Sequence, residues 1–500
     1  MQQQSIHEIQ DFAGKYPKQI WSLFFSEMWE RFCFYGMRGM LTYFMVYKLM
    51  MTDKDANLQY GATQAFVYAF TFIGGLFADK ILGFRRSLFW GGLLMIIGSL
   101  LLAYDPEQFF FLGISFNIIG TGFFKPNISS MVGQLYKDGD VRRDAGFLMF
   151  YSGINLGAFF GGYVVAIGKG TMMESMIPEA YRWNVAFGLA ALAMTISLLT
   201  FIFTRRQLGP IGLAPFETNT PTTVKPWSPY LVYAGAILAI PLVMKMVSNT
   251  IYTDYFMYAV GPFSIIYLIF EMTKLGKSEN LKLIAALCFI IFSVIFWAIF
   301  EQAGGSLSLF AAENISSRLL FFDVDPNGVN NSINALFVIF FAPVIGLLFI
   351  WLAKRKLEPN TVVKFGIGFL FLGAAFYTFY LIRFTGTNGI GSMNIFALAY
   401  FIVTLGELFL SPIGLSIMTK LSPQKLQGFM MGMWFLASAY GQYVAGLFGA
   451  SISPGTDSSL PDKMIAYTAG YRDFAWYAII AGVVLIVISP LVRKLMQDVK

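Results

Sequence analysis

The sequence predicts an all-α protein that crosses a membrane about fourteen times, and its composition and apolar runs both point to this class. Of its 500 residues, 57% are hydrophobic and only 13% are charged, and the mean hydropathy is +0.63. Apolar runs of about 20 residues recur along the whole chain, which is the length that spans the hydrocarbon layer of a bilayer. The runs are continuous and lack the two-residue alternation of barrel strands, so a transmembrane β-barrel is excluded.

Each apolar run is assigned in order to one spanning helix. The runs at 229–248 and 255–274 carry charged residues (Lys245, Asp254 and Glu271), but both are long enough to span. The predicted spans lie near residues 18–47, 57–82, 86–104, 108–135, 144–168, 183–204, 229–248, 255–274, 281–310, 332–353, 363–383, 395–419, 426–449 and 473–493.

A polar interval rich in proline and threonine, residues 205–228, follows the sixth span and has the composition of a linker. It predicts a six-helix bundle at 1–206, a linker at 207–228, two additional helices at 229–278 and a second six-helix bundle at 279–500. A faint internal repeat supports two related halves, because GGLFADKILGFRRS (74–87) and GLLFIWLAKRKLEP (346–359) each place a basic turn after the second span of a half. Related halves are typical of secondary transporters.

Basic residues are distributed unevenly between the loops. When loops are assigned alternately to the two sides of the membrane, one side receives most of the lysines and arginines, as cytoplasmic loops do. Both termini are therefore predicted to be cytoplasmic, and the net charge of +7 needs no nucleic-acid ligand to explain it. The basic side includes Arg85, Arg86, Arg142, Arg143, Arg205, Arg206, Lys354, Arg355 and Lys356.

The residues that catalysis or metal binding would use are scarce. Cys33 and Cys288 both lie in apolar runs, and the only histidine, His7, lies in the N-terminal tail. We therefore expect no disulfide, no metal site and no enzymatic activity. Proton chemistry inside the membrane would have to use carboxylates. The chain has no GxxxxGK[ST] phosphate loop, so it is not expected to use ATP.

The first span contains four charged residues in the stretch EMWERFCFYGMR, residues 27–38. A charge at the centre of a bilayer costs about 3 kcal/mol or more, so four in one helix require an explanation. On a helical projection they share an arc of about 140° with two aromatic residues. One explanation is a self-neutralising cluster that fixes helix packing, and the other, which we favour, is a water-filled path. The stripe consists of Glu27, Glu30, Arg31, Phe34, Tyr35 and Arg38.

Other spans contain single polar residues that also need an explanation. Lys125 lies within the fourth span, directly before Pro126, which predicts a disturbed backbone beside a cavity. Glu301 and Glu407 lie in the second half, and Glu407 has no basic neighbour along its helix. The first half thus supplies buried cations and the second half buried acids, a combination suited to a zwitterion. In the fifth span, glycines at 153, 157 and 161 have the spacing of close helix packing.

Several motifs resemble those of the proton-dependent oligopeptide transporters, a branch of the major facilitator superfamily. The first span matches ExxERFxYYG, the first-helix signature of that family, with Phe34 in place of a tyrosine. The other matching motifs are GGxxAD at 74–79, FYxxINxG at 150–157, FWxxFEQ at 296–302 and GELxLSPxGLS at 406–416. The resemblance implies the major facilitator fold, with two six-helix bundles plus two extra helices, as in bacterial members.

The resemblance also implies a function. It implies a proton-coupled symporter that imports di- and tripeptides by alternating access across a bacterial cytoplasmic membrane. Protons would be the coupling ion, with no other cofactor, and the protein would work as a monomer in the bilayer. By motif position, Arg31 and Lys125 would receive the peptide carboxylate, and Glu407 the amino group.

The remaining implied roles are assigned by position in the same motifs. The resemblance implies an outer gate pair of Arg38 and Glu301, and proton coupling through Glu27, Glu30 and Glu301. Asn155 and Asn334 would hold the peptide backbone. The other implied substrate-binding residues are Tyr35, Tyr68, Tyr151, Trp297, Gln302, Ser411 and Trp434.

Three alternatives to peptide import remain open. The same fold could carry nitrate or another small anion, although such relatives generally lack the acids of the first helix. A major facilitator drug exporter is a second alternative, and an integral membrane enzyme is a third.

Two departures from the family pattern, Phe34 and Thr71, affect the expected substrate preference. In the cytoplasmic loop motif, we expect Asp79 to pair near Arg85 and Arg86 as a structural clamp.

Overall fold

A computed structural model describes residues 5–137, 140, 142–217, 224–410, 414–497 and 499. Within these residues the protein contains fourteen α-helices of at least 18 residues and one two-stranded sheet. Eleven described helical segments are long and apolar enough to cross a membrane. The prediction of an all-α membrane protein is therefore confirmed.

Connections of varied length join the helices, and the only sheet among the described residues is a hairpin of β1 (Arg318–Leu319) and β2 (Phe322–Asp323). The α-helices are α1 (Ile6–Gln10), α2 (Gln19–Tyr47), α3 (Asp53–Phe77), α4 (Phe84–Tyr104), α5 (Phe110–Gln134), α6 (Arg142–Gly162), α7 (Val164–Lys169), α8 (Arg182–Thr204), α9 (Ser228–Ser248), α10 (Thr250–Met272), α11 (Lys277–Phe300), α12 (Ser306–Asn314), α13 (Pro326–Lys354), α14 (Thr361–Leu381), α15 (Met393–Leu410), α16 (Gly414–Leu421), α17 (Gln427–Ser451) and α18 (Leu460–Met496).

Most predicted spans agree with the helices to within a few residues. The spans 144–168 and 395–419 each correspond to two helices, α6 with α7 and α15 with α16, and two further spans differ in a way that bears on the site. Helix α18 begins at Leu460 rather than near residue 473, because Ser459 caps its N-terminus by accepting a hydrogen bond from Asp462 N. The predicted span 281–310 is interrupted, since α11 ends at Phe300 and a 3₁₀ turn, Glu301–Gly304, precedes α12. We refer to this turn and Gly305 as the α11–α12 break.

Helix α5 corrects the expectation of a disturbed backbone at Lys125. The helix runs from Phe110 to Gln134 without interruption, with Pro126 inside it. The hydroxyl groups of Ser129 and Ser130 donate hydrogen bonds to Pro126 O, at 3.2 and 3.0 Å. A helix can continue through a proline, which here removes only the backbone hydrogen bond that Gly122 O would accept.

The chain forms two compact units. The first unit comprises Met1–Met40 and Phe66–Ser248, and the second comprises Leu41–Ala65 and Asn249–Lys500. The second unit thus includes the end of α2 and the beginning of α3. The additional helices are divided, with α9 in the first unit and α10 in the second. The domain boundaries expected from the linker remain a prediction.

In the first unit, glycines of α6 allow it to pack directly against the backbone of α2. A Cβ atom on Gly161 would lie 2.5 Å from Phe32 O, and one on Gly157 would collide with Met28 O. The packing role expected from their spacing is therefore confirmed. This contact fixes α6 beside the charged stripe of α2, which is the part of the first unit that concerns function.

In the second unit, the beginning of α3 packs against α17 at a similarly close crossing. A Cβ atom on Gly61 would lie 2.6 Å from Gly446 Cα. Nearby, Tyr467 of α18 donates a 2.5 Å hydrogen bond to Asp53 Oδ2, and Tyr47 donates one of 2.5 Å to Glu313 Oε1 of α12. These contacts hold the segment 41–65 within the second unit.

The Gly61 crossing gives a stability prediction. Gly61→Ala should lower the free energy of unfolding by about 1–3 kcal/mol, because the added methyl group meets backbone atoms that cannot move aside. Thermal unfolding of the detergent-solubilised protein, followed by tryptophan fluorescence, would show a decrease of several degrees. Gly346→Ala in α13 is the matched control, since a Cβ there has open space. Equal melting of Gly61→Ala and wild type would contradict this packing.

Candidate functional site

The charged stripe of α2 forms a buried ion cluster in the first unit. Glu27 is 3%, Glu30 0% and Arg31 2% exposed. Arg31 Nε lies 2.9 Å from Glu27 Oε1 and 2.6 Å from Glu30 Oε2. Among the described residues, however, Arg31 Nε and both Glu30 oxygens lack a hydrogen bond of good geometry. The cluster is therefore ion-paired but leaves donors and acceptors that water or a ligand could satisfy.

Lys125 of α5 lies beside the same stripe. Its Nζ is 4.3 Å from the ring centre of Tyr68 and 5.7 Å from that of Phe34, and the Arg31 guanidinium is 5.4 Å from the same Phe34 ring. Aromatic faces attract cations at these distances. Phe34 is therefore close enough to attract both cations, which gives a physical role to the position where the family usually has tyrosine. Lys125 is half-buried.

Other predicted residues of the first unit lie on α2 and α6. Tyr35 follows Phe34 on α2, and the Arg38 guanidinium lies 5.8 Å from its ring centre. On α6, Asn155 Nδ2 donates a hydrogen bond of 2.9 Å to Tyr151 O, one turn earlier. The structure therefore places the predicted cations with Tyr35 and Tyr68 around α2, while the Asn155 amide nitrogen bonds its own helix.

In the second unit, Glu407 of α15 is bound by α13. Asn334 Nδ2 donates a hydrogen bond to Glu407 Oε2 at 3.0 Å and contacts Thr404 Oγ1 at 3.0 Å. Glu407 has no basic neighbour along its own helix, as expected, and this hydrogen-bond partner comes from another helix. Asn334 lies within α13 and does not cap a helix. These two predicted residues thus form one site.

The α11–α12 break carries two more predicted residues. Glu301 is 3% exposed and Gln302 is 0% exposed. Gln302 Nε2 donates to Ala298 O at 3.0 Å and to Ala445 O of α17 at 2.9 Å. Gln302 therefore has a clear structural function in joining the break to α17. The predicted pair of Arg38 and Glu301 joins residues of different units and remains a prediction.

The two predicted tryptophans differ in their surroundings. Trp297 is partly buried, with its ring edge-to-face against Phe300 at 5.2 Å. Trp434 is 7% exposed within the core of the second unit and packs on the backbone of Gly414 at the start of α16. Ordinary aromatic packing accounts for these contacts. Ser411 lies outside the residues that the structure describes.

The cytoplasmic loop motif corrects another expectation. Arg85 donates two 2.6 Å hydrogen bonds, to Ile211 O and Gly209 O, and Arg86 binds Glu217 Oε1 at 2.7 Å. The arginines thus hold the beginning of the linker and do not pair with Asp79, which is exposed. Burial raises the pKa of Glu217, but hydrogen bonds from Arg86 and Ala214 N outweigh it, leaving this pKa below its usual value.

Sequence reasoning missed a row of asparagines on α13. Asn327, Asn330, Asn331 and Asn334 have the spacing of one helical face, which we call the asparagine face. Asn330 Nδ2 donates to Ala303 O at 2.7 Å, while Asn327 Nδ2 donates to Ser308 O at 2.8 Å. The spacing in NGVNNSIN was a sufficient signal, because four amides on one face of a membrane helix need partners.

Buried ionisable groups on several helices of a polytopic membrane protein are typical of secondary transporters. Comparison with known proteins identifies the family. The family model described as "POT family" matches residues 85–461. The chain therefore belongs to the POT family, and the resemblance found in its motifs is confirmed.

Named relatives match over almost the whole chain. An "Uncharacterized transporter YclF" of Bacillus subtilis is 34% identical, covering 97% of this chain and 96% of the relative. The "Peptide transporter YePEPT" of Yersinia enterocolitica is 33% identical with the same coverage. A "Di-/tripeptide transporter" of Lactococcus lactis subsp. cremoris is 31% identical, covering 98% of each chain.

A solved structure gives the same result for the fold. The crystal structure of "peptide transporter POT in complex with sulfate" superposes with a TM-score of 0.81 at 32% identity. The match covers 99% of this chain and 100% of that chain. The fold predicted from the sequence, two six-helix bundles with two additional helices, is thereby confirmed.

Proposed function

We propose that this transporter is a proton-coupled symporter that imports di- and tripeptides by alternating access. Membership of the POT family and the names of two relatives support the substrate class. The observation that carries the mechanism is the buried cluster of Glu27, Glu30 and Arg31, with Lys125 nearby. Burying such a cluster in a membrane costs free energy, and buried clusters of this kind mark ion or substrate pathways.

Proton binding would change which ions Arg31 pairs with. In the cluster, two carboxylates compete for one guanidinium. A proton on Glu30 removes one of these charges, which frees Arg31 and Lys125 to attract a peptide carboxylate. Release of the proton restores both ion pairs and disfavours the bound carboxylate. Peptide and proton would therefore favour each other's binding, as coupled sites must do reciprocally.

The second unit would supply the partner of the peptide amino group. Glu407 is half-buried and accepts a hydrogen bond from the neutral Asn334 amide. An ammonium would form a charge-assisted hydrogen bond with this carboxylate, which is stronger than the hydrogen bond that the neutral amide donates. We therefore assign Glu407 as the group that selects a free amino terminus, with Asn334 holding its orientation.

We further propose that the protein acts as a monomer in the cytoplasmic membrane, with both termini in the cytoplasm. The distribution of basic residues among the loops supports this orientation. The roles proposed for Tyr35, Tyr68, Tyr151, Asn155, Trp297, Gln302, Ser411 and Trp434 rest on their positions in the family motifs.

Counterflow in proteoliposomes tests the substrate class. Vesicles loaded with an unlabelled dipeptide should accumulate the labelled dipeptide from outside. Unlabelled tripeptide added outside should compete, whereas nitrate and free amino acids should not. Counterflow of labelled nitrate, with no exchange of dipeptide, would support anion transport instead and overturn the proposal.

Glu407→Gln gives a sharper prediction about the amino terminus. Wild type should bind a free dipeptide at least tenfold more tightly than its N-acetylated form, since a charged hydrogen bond contributes about 1.5–3 kcal/mol. The variant should lose most of this preference by weakening the free dipeptide, with little change for the acetylated one. The affinity for each dipeptide is measured by its ability to inhibit counterflow of a labelled dipeptide. If Glu407→Gln keeps the full preference, then Glu407 only braces α15 against α13.

A further inference from the structure

The asparagine face of α13 contacts two functional elements of the second unit at once. Near its N-terminal end, Asn330 Nδ2 donates to Ala303 O in the α11–α12 break, two residues after Glu301. One turn later, Asn334 Nδ2 donates to Glu407 Oε2 of α15. A single helical face therefore contacts both the turn that carries Glu301 and the carboxylate assigned to the peptide amino group.

Tyr400 links the helix that carries Glu407 to the asparagine that contacts the break. Its hydroxyl donates a 2.6 Å hydrogen bond to Asn330 Oδ1, and it lies on α15, two turns before Glu407. Asn330 thus uses both ends of its amide, accepting from α15 and donating to the break. Tyr400 and Asn330 are each 2% exposed. Buried polar groups in such an arrangement polarise one another and fix one geometry.

The Tyr400 hydroxyl is held in place by packing of its ring. The ring lies edge-to-face against Phe396 at 5.2 Å and against Phe379 of α14 at 5.5 Å. A Tyr400→Phe substitution would preserve these contacts and remove only the oxygen. The bond to Asn330 can therefore be deleted without emptying the core.

We propose that Tyr400 and Asn330 are positioning residues that couple Glu407 to the α11–α12 break. An ammonium bound at Glu407 competes with the Asn334 amide for the carboxylate, which changes the spacing of α13 and α15 at that point. The Tyr400–Asn330 bond joins the same two helices and transmits this change to Ala303 O. The break, and Glu301 with it, then moves when peptide binds. This inference rests on the proposed function.

Transport assays separate coupling from binding. In Tyr400→Phe, dipeptide counterflow should keep its rate and half-saturating concentration within about twofold, because Glu407 and Asn334 are unchanged. Uptake driven by a proton gradient should fall about tenfold, the effect of losing one well-formed hydrogen bond from a coupled step. A purely structural role would reduce both activities in parallel.

Tyr443→Phe is the matched control. Tyr443 is also buried, at 8% exposed, and its hydroxyl donates a 2.6 Å hydrogen bond to Asp254 of α10. This substitution also removes one tyrosine hydroxyl, but the hydroxyl joins α17 to α10 and contacts neither Glu407 nor the break. Counterflow and driven uptake should both match wild type.

A double-mutant cycle shows whether the two residues act through one bond. Asn330→Ala should reduce driven uptake about as much as Tyr400→Phe, and the double variant should be no worse than the poorer single variant. The inference would be overturned if the double variant lost driven uptake by the product of the two single losses. It would also be overturned if Tyr400→Phe kept full driven uptake, or if that variant unfolded. If wild type itself transports no dipeptide, the proposed function fails and this inference with it.

Discussion

Lys125→Ala is expected to reduce dipeptide uptake at least thirtyfold and to leave the protein folded. The substitution removes a cation that would bind the peptide carboxylate, and such a loss costs about 2–5 kcal/mol of binding. The effect on stability should be smaller, because cation–ring contacts such as those of Lys125 with Tyr68 and Phe34 contribute about 0.5–2 kcal/mol. Counterflow and driven uptake measure transport, and size-exclusion chromatography measures folding.

Arg31→Ala is less suited to this test. It would leave Glu27 and Glu30 buried without their guanidinium, which costs about 3–5 kcal/mol of stability and confuses folding with transport. Lys245→Ala is the matched control for Lys125→Ala, since it removes a lysine from α9, another membrane-spanning helix, and should transport normally. A folded Lys125→Ala protein with wild-type uptake would remove Lys125 from the substrate site.

Glu30→Gln is expected to abolish accumulation of dipeptide against its gradient while retaining counterflow within about threefold. Glutamine has the shape of glutamate, so Arg31 keeps a hydrogen-bond acceptor, but glutamine cannot bind and release a proton. Exchange of peptide for peptide needs only binding and movement of the loaded carrier. Net import driven by protons needs the titrating group as well.

The comparison of both activities in the same vesicles makes this result specific. Glu179→Gln is the control, because it changes an exposed glutamate of a 3₁₀ turn in the first unit. Loss of counterflow together with accumulation would mean that Glu30 is needed for the structure of the ion cluster. Full accumulation by Glu30→Gln would move proton coupling to other groups.

The sequence predicted the helices well because membrane thickness fixes the length of an apolar run. The start of α18 was predicted poorly. The first turns of this helix contain Asp462 and Lys463 and lie before the apolar run begins. The α11–α12 break was also missed. The residues there are mostly apolar or small, and the interruption is stabilised by hydrogen bonds from other helices, such as Asn330 to Ala303 O.

The charged residues of the site could be identified from sequence because burial makes them expensive. Their partners could be identified only where they lie on the same helix, as Glu27 and Arg31 do at four-residue spacing. Asn334 and Glu407 lie on different helices, and no local pattern links them. Likewise, the partners of Arg85 lie in the linker, more than a hundred residues along the chain.

Accumulation of labelled dipeptide by wild-type protein in proteoliposomes, with and without an inward proton gradient, tests proton-coupled import most directly. With an alkaline interior, the internal concentration should rise well above the external one without ATP, and a protonophore should release the excess. Glu30→Gln vesicles with the same gradient should reach only the external concentration. Accumulation by wild type that is equally large without the gradient, or that persists with the protonophore, would contradict the account.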